Sequence, residues 1–200
     1  GGAETGREGL LTWKRRAGFE PTRLVLDPAS AGPPKEVADD RLGLRRLTAM
    51  TSADNAGSNA VLRGRGFDRA AAERFGVGYA PRGGDELARH LLERGFTEDE
   101  VTTAGLCGRS QRGLYDRFRG RLVWPIRDIT GDTVGFGARR LHDDDRIAAK
   151  YLNTSETPIY KKSNVLYGLD LAKKAIRDER QVVVVEGYTD VMAAHLSGVE

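Results

Sequence analysis

The sequence predicts a mixed α+β / α/β chain, and three observations carry that class. Short amphipathic helical runs separated by glycines begin near Asn59. Two apolar runs follow on either side of a Gly-Asp turn, between Leu122 and Phe136. Four valines, Val182 to Val185, then lead through a tight turn into a helical pattern. The expected organisation is a tail over residues 1–58, a basic helix-and-strand region over 59–163, and a strand–turn–helix unit over 164–200.

Residues 1–58 scatter Gly, Pro, Ala, Ser and Asp with no sustained period, which predicts a poorly ordered tail with no assigned function. Within it only "RLGLRRLTAM" suggests a short helix. Asp68 stands as an N-cap before "RAAAERF", with Gly76 and Gly78 closing that helix. "GDELARHLLERGF" follows the same scheme. Leu87, Leu91 and Leu92 fall on one face, Asp85 precedes them and Gly95 stops the run. Thr97 with Glu100 three residues later is a capping-box pattern.

"RLVWPIRDITGDTVGFGARRL" reads as a β-hairpin, with strands over Leu122–Ile126 and Thr133–Phe136. Pro125 predicts an edge or bulged strand there. "HDDDRIAA" is a polar loop, and "KYLNTSETPIYKKSNVLYGL" is a long turn-rich stretch. "DLAKKAIRDER" is a helix with Leu171 and Ile176 facing inward. The valine run is short and does not alternate, as expected of a parallel strand buried on both faces.

Composition bounds the function. The 200 residues are 30% charged and contain 25 glycines, one cysteine and no run near the roughly 18 apolar residues of a membrane helix. The lone Cys107 excludes an intramolecular disulfide and a multi-cysteine zinc site within this sequence. The expected location is cytoplasmic. The net charge is only +3, but residues 109–162 hold 12 Lys+Arg against 7 Asp+Glu, whereas the remainder holds 20 against 22. Such a segment is either a polyanion footprint or a solvated mixed-charge surface.

Glu186 stands at the carboxyl end of the valine strand, where ligands of α/β sheets bind. Gly187 permits the turn, Thr189 is placed to cap the next helix, and Asp190 falls in its first turn. The E-x-x-x-D spacing can bring both carboxylates to one rim. They could hold a divalent cation, or one could act as a general acid or base. Alternatively, Asp190 serves the helix dipole and Glu186 is merely solvated. Asp143 to Asp145 read as a solvated loop rather than a metal cluster.

Four stretches taken together resemble the bacterial DNA primases of the DnaG type. "VVVVEGYTDVMAAH" is similar to the first motif of their Toprim subdomain. "RFRGRLVWPIRDITGDTVGFGARRL" resembles the basic strand pair before it, "AKYLNTSETPIYKKSNVLYGLDLAKK" the linking segment, and "LRGRGFDRAAAERFGVGYAP" the helical start of the core. Toprim motifs also occur in topoisomerases and some nucleases, but the four in this order point to primases. The resemblance implies a basic mixed helix-strand subdomain followed by the first strand–turn–helix of a Toprim α/β subdomain. It also implies RNA primer synthesis on single-stranded DNA from ribonucleoside triphosphates, with Mg²⁺ or Mn²⁺, and a replicative helicase as partner of the full-length family.

By the same resemblance, Glu186 matches the catalytic glutamate and Asp190 the acid that follows it, both as metal ligands. Arg139, Lys150, Tyr151, Asn153 and Lys162 match groups around the template and nucleotide, and Arg65 matches an arginine of the helical start.

Two departures from the family shape the expectation. Residues 1–58 contain no cysteine, so the family's zinc ribbon is not expected there. The chain opens on Gly-Gly-Ala-Glu rather than Met and stops at Glu200, before the later acids of a Toprim subdomain and before the helicase-binding domain. The reading is therefore a core fragment with an incomplete metal site, inactive in primer synthesis alone and with exposed apolar surface near Val182 to Val185. The alternatives are a non-catalytic single-stranded nucleic-acid-binding module, or another Toprim protein such as a nuclease or phage primase-helicase.

Overall fold

The computed structural model describes residues 62–64, 66–145 and 147–199, together with the backbone of 22–25. The expected helix in "RLGLRRLTAM", and the tail apart from residues 22–25, lie outside the described residues. The chain forms two compact units. One comprises 38–128 and 132–165; the other comprises 1–37, 129–131 and 166–200.

Among its described residues the larger unit holds, in order, α1 (Arg69–Phe75), β2 (Gly78–Ala80), α2 (Glu86–Glu93) and α3 (Glu98–Thr103); β1 (Thr22–Val25) belongs to the other unit. Asp68 caps α1 by accepting from the Ala71 N–H at 2.8 Å. Gly76 closes α1 in the left-handed region at φ 66°. A Cβ there would meet Pro125 Cγ at 3.1 Å and Arg127 Nη2 at 2.9 Å, so a side chain is doubly disfavoured. Gly78 does not close the helix but opens β2. The Thr97–Glu100 capping box forms at the start of α3, the Thr97 N–H donating to Glu100 Oε2 at 2.7 Å.

Helix α2 is capped differently from the sequence expectation. Asp85 makes no side-chain cap. The carboxylate of Asp116, 28 residues or more downstream, accepts from the N–H groups of Leu87 (2.8 Å) and Ala88 (2.9 Å) instead. Asp116 closes a hairpin that periodicity did not reveal, β3 (Cys107–Ser110) with β4 (Gly113–Asp116). Of the three leucines expected inward on α2, Leu91 is buried, Leu87 is half-buried and Leu92 is exposed. The apolar stripe is one leucine wide at its edge, because α2 packs on the core through Ala88 and Leu91.

The main sheet runs β2–β5–β6–β7, with β5 (Arg121–Arg127), β6 (Thr133–Arg140) and β7 (Tyr151–Asn153), all antiparallel. β5 and β6 are the expected hairpin, four residues longer at the end of β6. One sheet face carries Val123, Phe136 and Ala138 into the core with Leu91, Val101 and Phe118. Leu122 and Trp124, alternating with these, are both 0% exposed, so the sheet is covered on both faces. Truncating a side chain like Trp124 to Ala typically costs about 3–5 kcal/mol. Pro125 fits because β2 pairs only with Arg121 to Val123, and the ladder with β6 bulges just beyond, between Ile126 and Arg127.

In the smaller unit, β1 (Thr22–Val25) pairs antiparallel with β8 (Gln181–Val184), flanked in sequence by α4 (Leu169–Glu179) and α5 (Tyr188–Leu196). Two expectations change here. A tail without pattern does not describe Thr22–Val25, whose backbone is recruited by β8. The valine strand is neither parallel nor buried on both faces. With β1 its one partner among the described residues, Val182 and Val183 are half-buried and Val184 is 39% exposed. Leu171 and Ile176 are likewise only half-buried.

Candidate nucleic-acid interface

Strand β7 is short and lies at the sheet edge, and it organises most of the predicted site. Its register sets Tyr151 opposite Arg139 and Asn153 opposite Gly137. Cross-strand partners share a face, so Arg139, Tyr151 and Asn153 lie on one side of the sheet. The Arg139 guanidinium carbon is 5.9 Å from the Tyr151 ring centroid, a cation–π arrangement. Tyr151 remains 44% exposed. Arg139 Nη1 is buried and has no hydrogen-bond partner among the described residues. A buried unsatisfied donor is costly and marks a place where an acceptor would be welcome.

Lys150 precedes the strand with an exposed side chain, and its carbonyl accepts from the Arg140 N–H at 2.9 Å. Thr154 follows the strand and locks it: its N–H donates to the Phe136 carbonyl at 2.8 Å, and its Oγ1 accepts from the Phe136 N–H at 2.8 Å. The sequence reading placed Tyr151 and Asn153 in a turn-rich stretch. A three-residue strand leaves no periodicity, and pairing alone defines it. Lys162 opens a single 3-10 turn (Lys162–Asn164) with its side chain exposed, and its N–H donates to Glu156 Oε1 at 3.1 Å. Arg65 lies outside the described residues.

Sequence reasoning missed Arg121. It is fully buried at the start of β5, and its guanidinium donates to the carbonyls of Ile147 (2.9 Å) and Ala149 (3.0 Å). Its signal was an arginine directly before an apolar strand. The acidic run around Asp145 is engaged by arginines: Asp144 pairs with Arg82, and Asp145 lies 2.7 Å from Arg121 Nη2.

The smaller unit holds the predicted carboxylates. Glu186 is exposed just beyond β8, and Asp190 is half-buried in the first turn of α5. Asp190 Oδ2 accepts from the Gly187 N–H at 3.2 Å, while the Asp190 N–H donates to the Gly187 carbonyl at 3.0 Å. The turn after Glu186 is thereby fixed by Asp190. Thr189 does not cap α5: the helix starts at Tyr188 behind an extended Gly187, which puts Thr189 inside the helix and buries it. Carboxylate oxygens suit Mg²⁺ or Mn²⁺ in kind. Among the described residues no three His, Cys, Asp or Glu side chains group as a metal site.

Comparison with known proteins agrees with this architecture. A family model described as the DNA primase catalytic core, N-terminal domain, matches residues 47–173. The chain is 62% identical over 140 residues to the DNA primase of Streptomyces coelicolor, covering 70% of this chain and 22% of that protein. It is 58% identical over 151 residues to the DNA primase of Mycolicibacterium smegmatis, covering 76% and 24%. It thus spans under a quarter of the length of these curated relatives. The RNA polymerase domain of Mycobacterium tuberculosis primase DnaG, solved with a double-stranded DNA oligomer bearing a 6-nucleotide overhang, is 50% identical with a TM-score of 0.72, over 80% of this chain and 49% of that one. A DnaG primase catalytic domain bound to ssDNA is 32% identical with a TM-score of 0.65, over 80% and 50%. The family match covers most of the chain and the solved primases share its fold, so this chain belongs to the family of the bacterial DNA primase catalytic core.

Proposed function

We propose that this chain is the template-holding part of a primase that makes short RNA primers on single-stranded DNA from ribonucleoside triphosphates. The observation that carries the reading is the Arg139–Tyr151 pair, a half-exposed ring backed by a guanidinium with the exposed Lys150 beside it. A ring of this kind stacks on any base, and the cations meet phosphates, so binding would be tight but sequence-tolerant. Phosphoryl transfer asks the protein mainly for positioning and charge stabilisation. Arg139, Lys150 and Lys162 would supply cations for template or triphosphate, with Asn153 on the same sheet face as Tyr151.

Glu186 and Asp190 would contribute carboxylate oxygens toward Mg²⁺ or Mn²⁺, and the metal when bound would neutralise charge on the transferred phosphoryl group. Of these two, Asp190 also holds the Gly187 turn that presents Glu186. A replicative helicase as partner and a cytoplasmic location belong to the same proposal. Among the described residues no helix is long and apolar enough to cross a membrane.

The test is de novo primer synthesis by the intact protein on single-stranded DNA with Mn²⁺. Glu186→Gln is expected to abolish product while leaving template affinity unchanged. Equal product from Glu186→Gln would refute the catalytic assignment. Synthesis lost together with DNA binding would refute the division of labour between the two residue groups. The relatives and solved structures favour this reading over a binding module without chemistry or a Toprim nuclease.

A further inference from the structure

Arg121 and Arg140 stand directly opposite each other across β5 and β6. Like charges so placed normally destabilise a sheet. Here both guanidinium groups turn to one segment. Arg121 donates to the Ile147 carbonyl at 2.9 Å and the Ala149 carbonyl at 3.0 Å, and Arg140 donates to the Ala148 carbonyl between them at 3.3 Å. Three consecutive carbonyls are thus held by two arginines. Asp145 joins them, its Oδ1 accepting from the Ile147 N–H at 2.9 Å and its Oδ2 facing Arg121 at 2.7 Å.

Ile147, Ala148 and Ala149 are all exposed and belong to no helix or strand. Apolar burial therefore does little to hold them. The residues that follow immediately are Lys150 and Tyr151.

We infer that Arg121, supported by Arg140, is a positioning residue that fixes where Lys150 and Tyr151 stand and so sets template affinity. The inference rests on the reading of Lys150 and Tyr151 as template contacts. Arg121 can act this way because its planar fork spans two carbonyls two residues apart. A lysine is a point donor and cannot do so with the same geometry. The buried charge is compensated by those carbonyls and by Asp145, without which its burial would be strongly unfavourable.

The experiment compares Arg121→Lys with wild type in the intact protein by amide hydrogen exchange and by binding to a labelled single-stranded oligonucleotide. Exchange across 147–153 is expected to quicken about tenfold or more, while α2 and α3 keep their protection. Template affinity is expected to fall roughly fivefold to twentyfold, with the salt slope retained because the charge is kept. Arg140→Lys should produce the same pattern more weakly, through one carbonyl only.

Unchanged exchange over 147–153 would overturn the inference, as would a uniform loss of protection across the unit. If Arg121→Lys does not fold, Asp145→Asn decides by the same exchange pattern. Lys150→Ala and Tyr151→Ala test the underlying reading separately: if neither weakens binding, the contact assignment fails, whatever the exchange shows.

Discussion

Arg139 and Tyr151 are cross-strand partners whose side chains stack, the guanidinium carbon 5.9 Å from the ring centroid. The pairing holds the ring while 44% of the residue stays open to solvent. Base stacking on such a ring is worth about 1–3 kcal/mol. Tyr151→Ala is therefore expected to weaken single-stranded DNA binding roughly 5- to 150-fold, and Tyr151→Phe only slightly. Fluorescence anisotropy with a labelled oligonucleotide measures both, and equal losses would assign the effect to the hydroxyl instead.

The exposed Lys150 should behave differently from the ring. A cation that meets one phosphate of a single strand contributes about 0.7 to the slope of log affinity against log salt. Lys150→Ala should lower the slope by about that amount, while Tyr151→Ala should leave it alone. Parallel slopes for wild type and Lys150→Ala would remove Lys150 from the phosphate contacts.

Asp116 ties a strand to the start of a helix. Its buried carboxylate accepts two N–H groups of α2, from Leu87 and Ala88, which have no intrahelical partner. Asp116→Ala leaves both donors without an acceptor and should cost about 3 kcal/mol of unfolding free energy. Asp116→Asn retains an acceptor and should cost less. Urea denaturation of the two variants gives the ordering.

The contrast between Asp116 and Thr97 shows what the sequence made legible. Thr97 and Glu100 cap their own helix across three residues, so the motif is local and its outcome was read correctly. Asp116 caps a helix from a different element, and no spacing announces it. The hairpin of β5 and β6 was legible because both strands are long and flank a Gly-Asp turn. β2 and β7 have three residues each, too few for any period, and pairing alone defines them. The valine run suggested a doubly buried parallel strand, yet among the described residues β8 has one antiparallel partner and leaves Val184 exposed. Hydrophobicity reported that these side chains favour burial, but not which neighbours lie beside them. Glu186 and Asp190 drew notice by their place at the end of the valine strand, and a resemblance sharpened their roles, whereas Tyr151 and Lys150 entered through the resemblance alone. Arg121 had no such cue, because what distinguishes it is its hold on two loop carbonyls, of Ile147 and Ala149, and not a motif.

Gly105 follows α3 with φ 71°, and a Cβ there would come within 2.8 Å of Thr154 Cγ2. Thr154 is the residue whose hydroxyl and N–H lock the end of β7 onto β6. Gly105→Ala thus combines a strained backbone with pressure on the strand that carries Tyr151. A destabilisation of about 1–3 kcal/mol is expected. Thermal unfolding measures it, and a variant as stable as wild type would show that Thr154 can yield without cost.

Cys107 is buried in the core beside Asp116. Burial foremost, and the neighbouring carboxylate second, push its thiol from 9.0 up to about 12. Tyr160 is raised above its ordinary value by burial and by Glu156. Both groups hold their protons more tightly folded than unfolded, so each favours the folded state at lower pH; the contribution of Cys107 is complete below about pH 9 and is lost as pH rises toward 12. The urea midpoint should therefore fall between pH 8 and pH 10.5. Cys107→Ala should show a shallower fall. At pH 8 the thiolate fraction should be ~10³ lower than for an unperturbed thiol, which makes alkylation by iodoacetamide correspondingly slow until the protein unfolds. Rapid labelling of the native protein at pH 8 would mean that the core around Cys107 opens far more often than its packing implies.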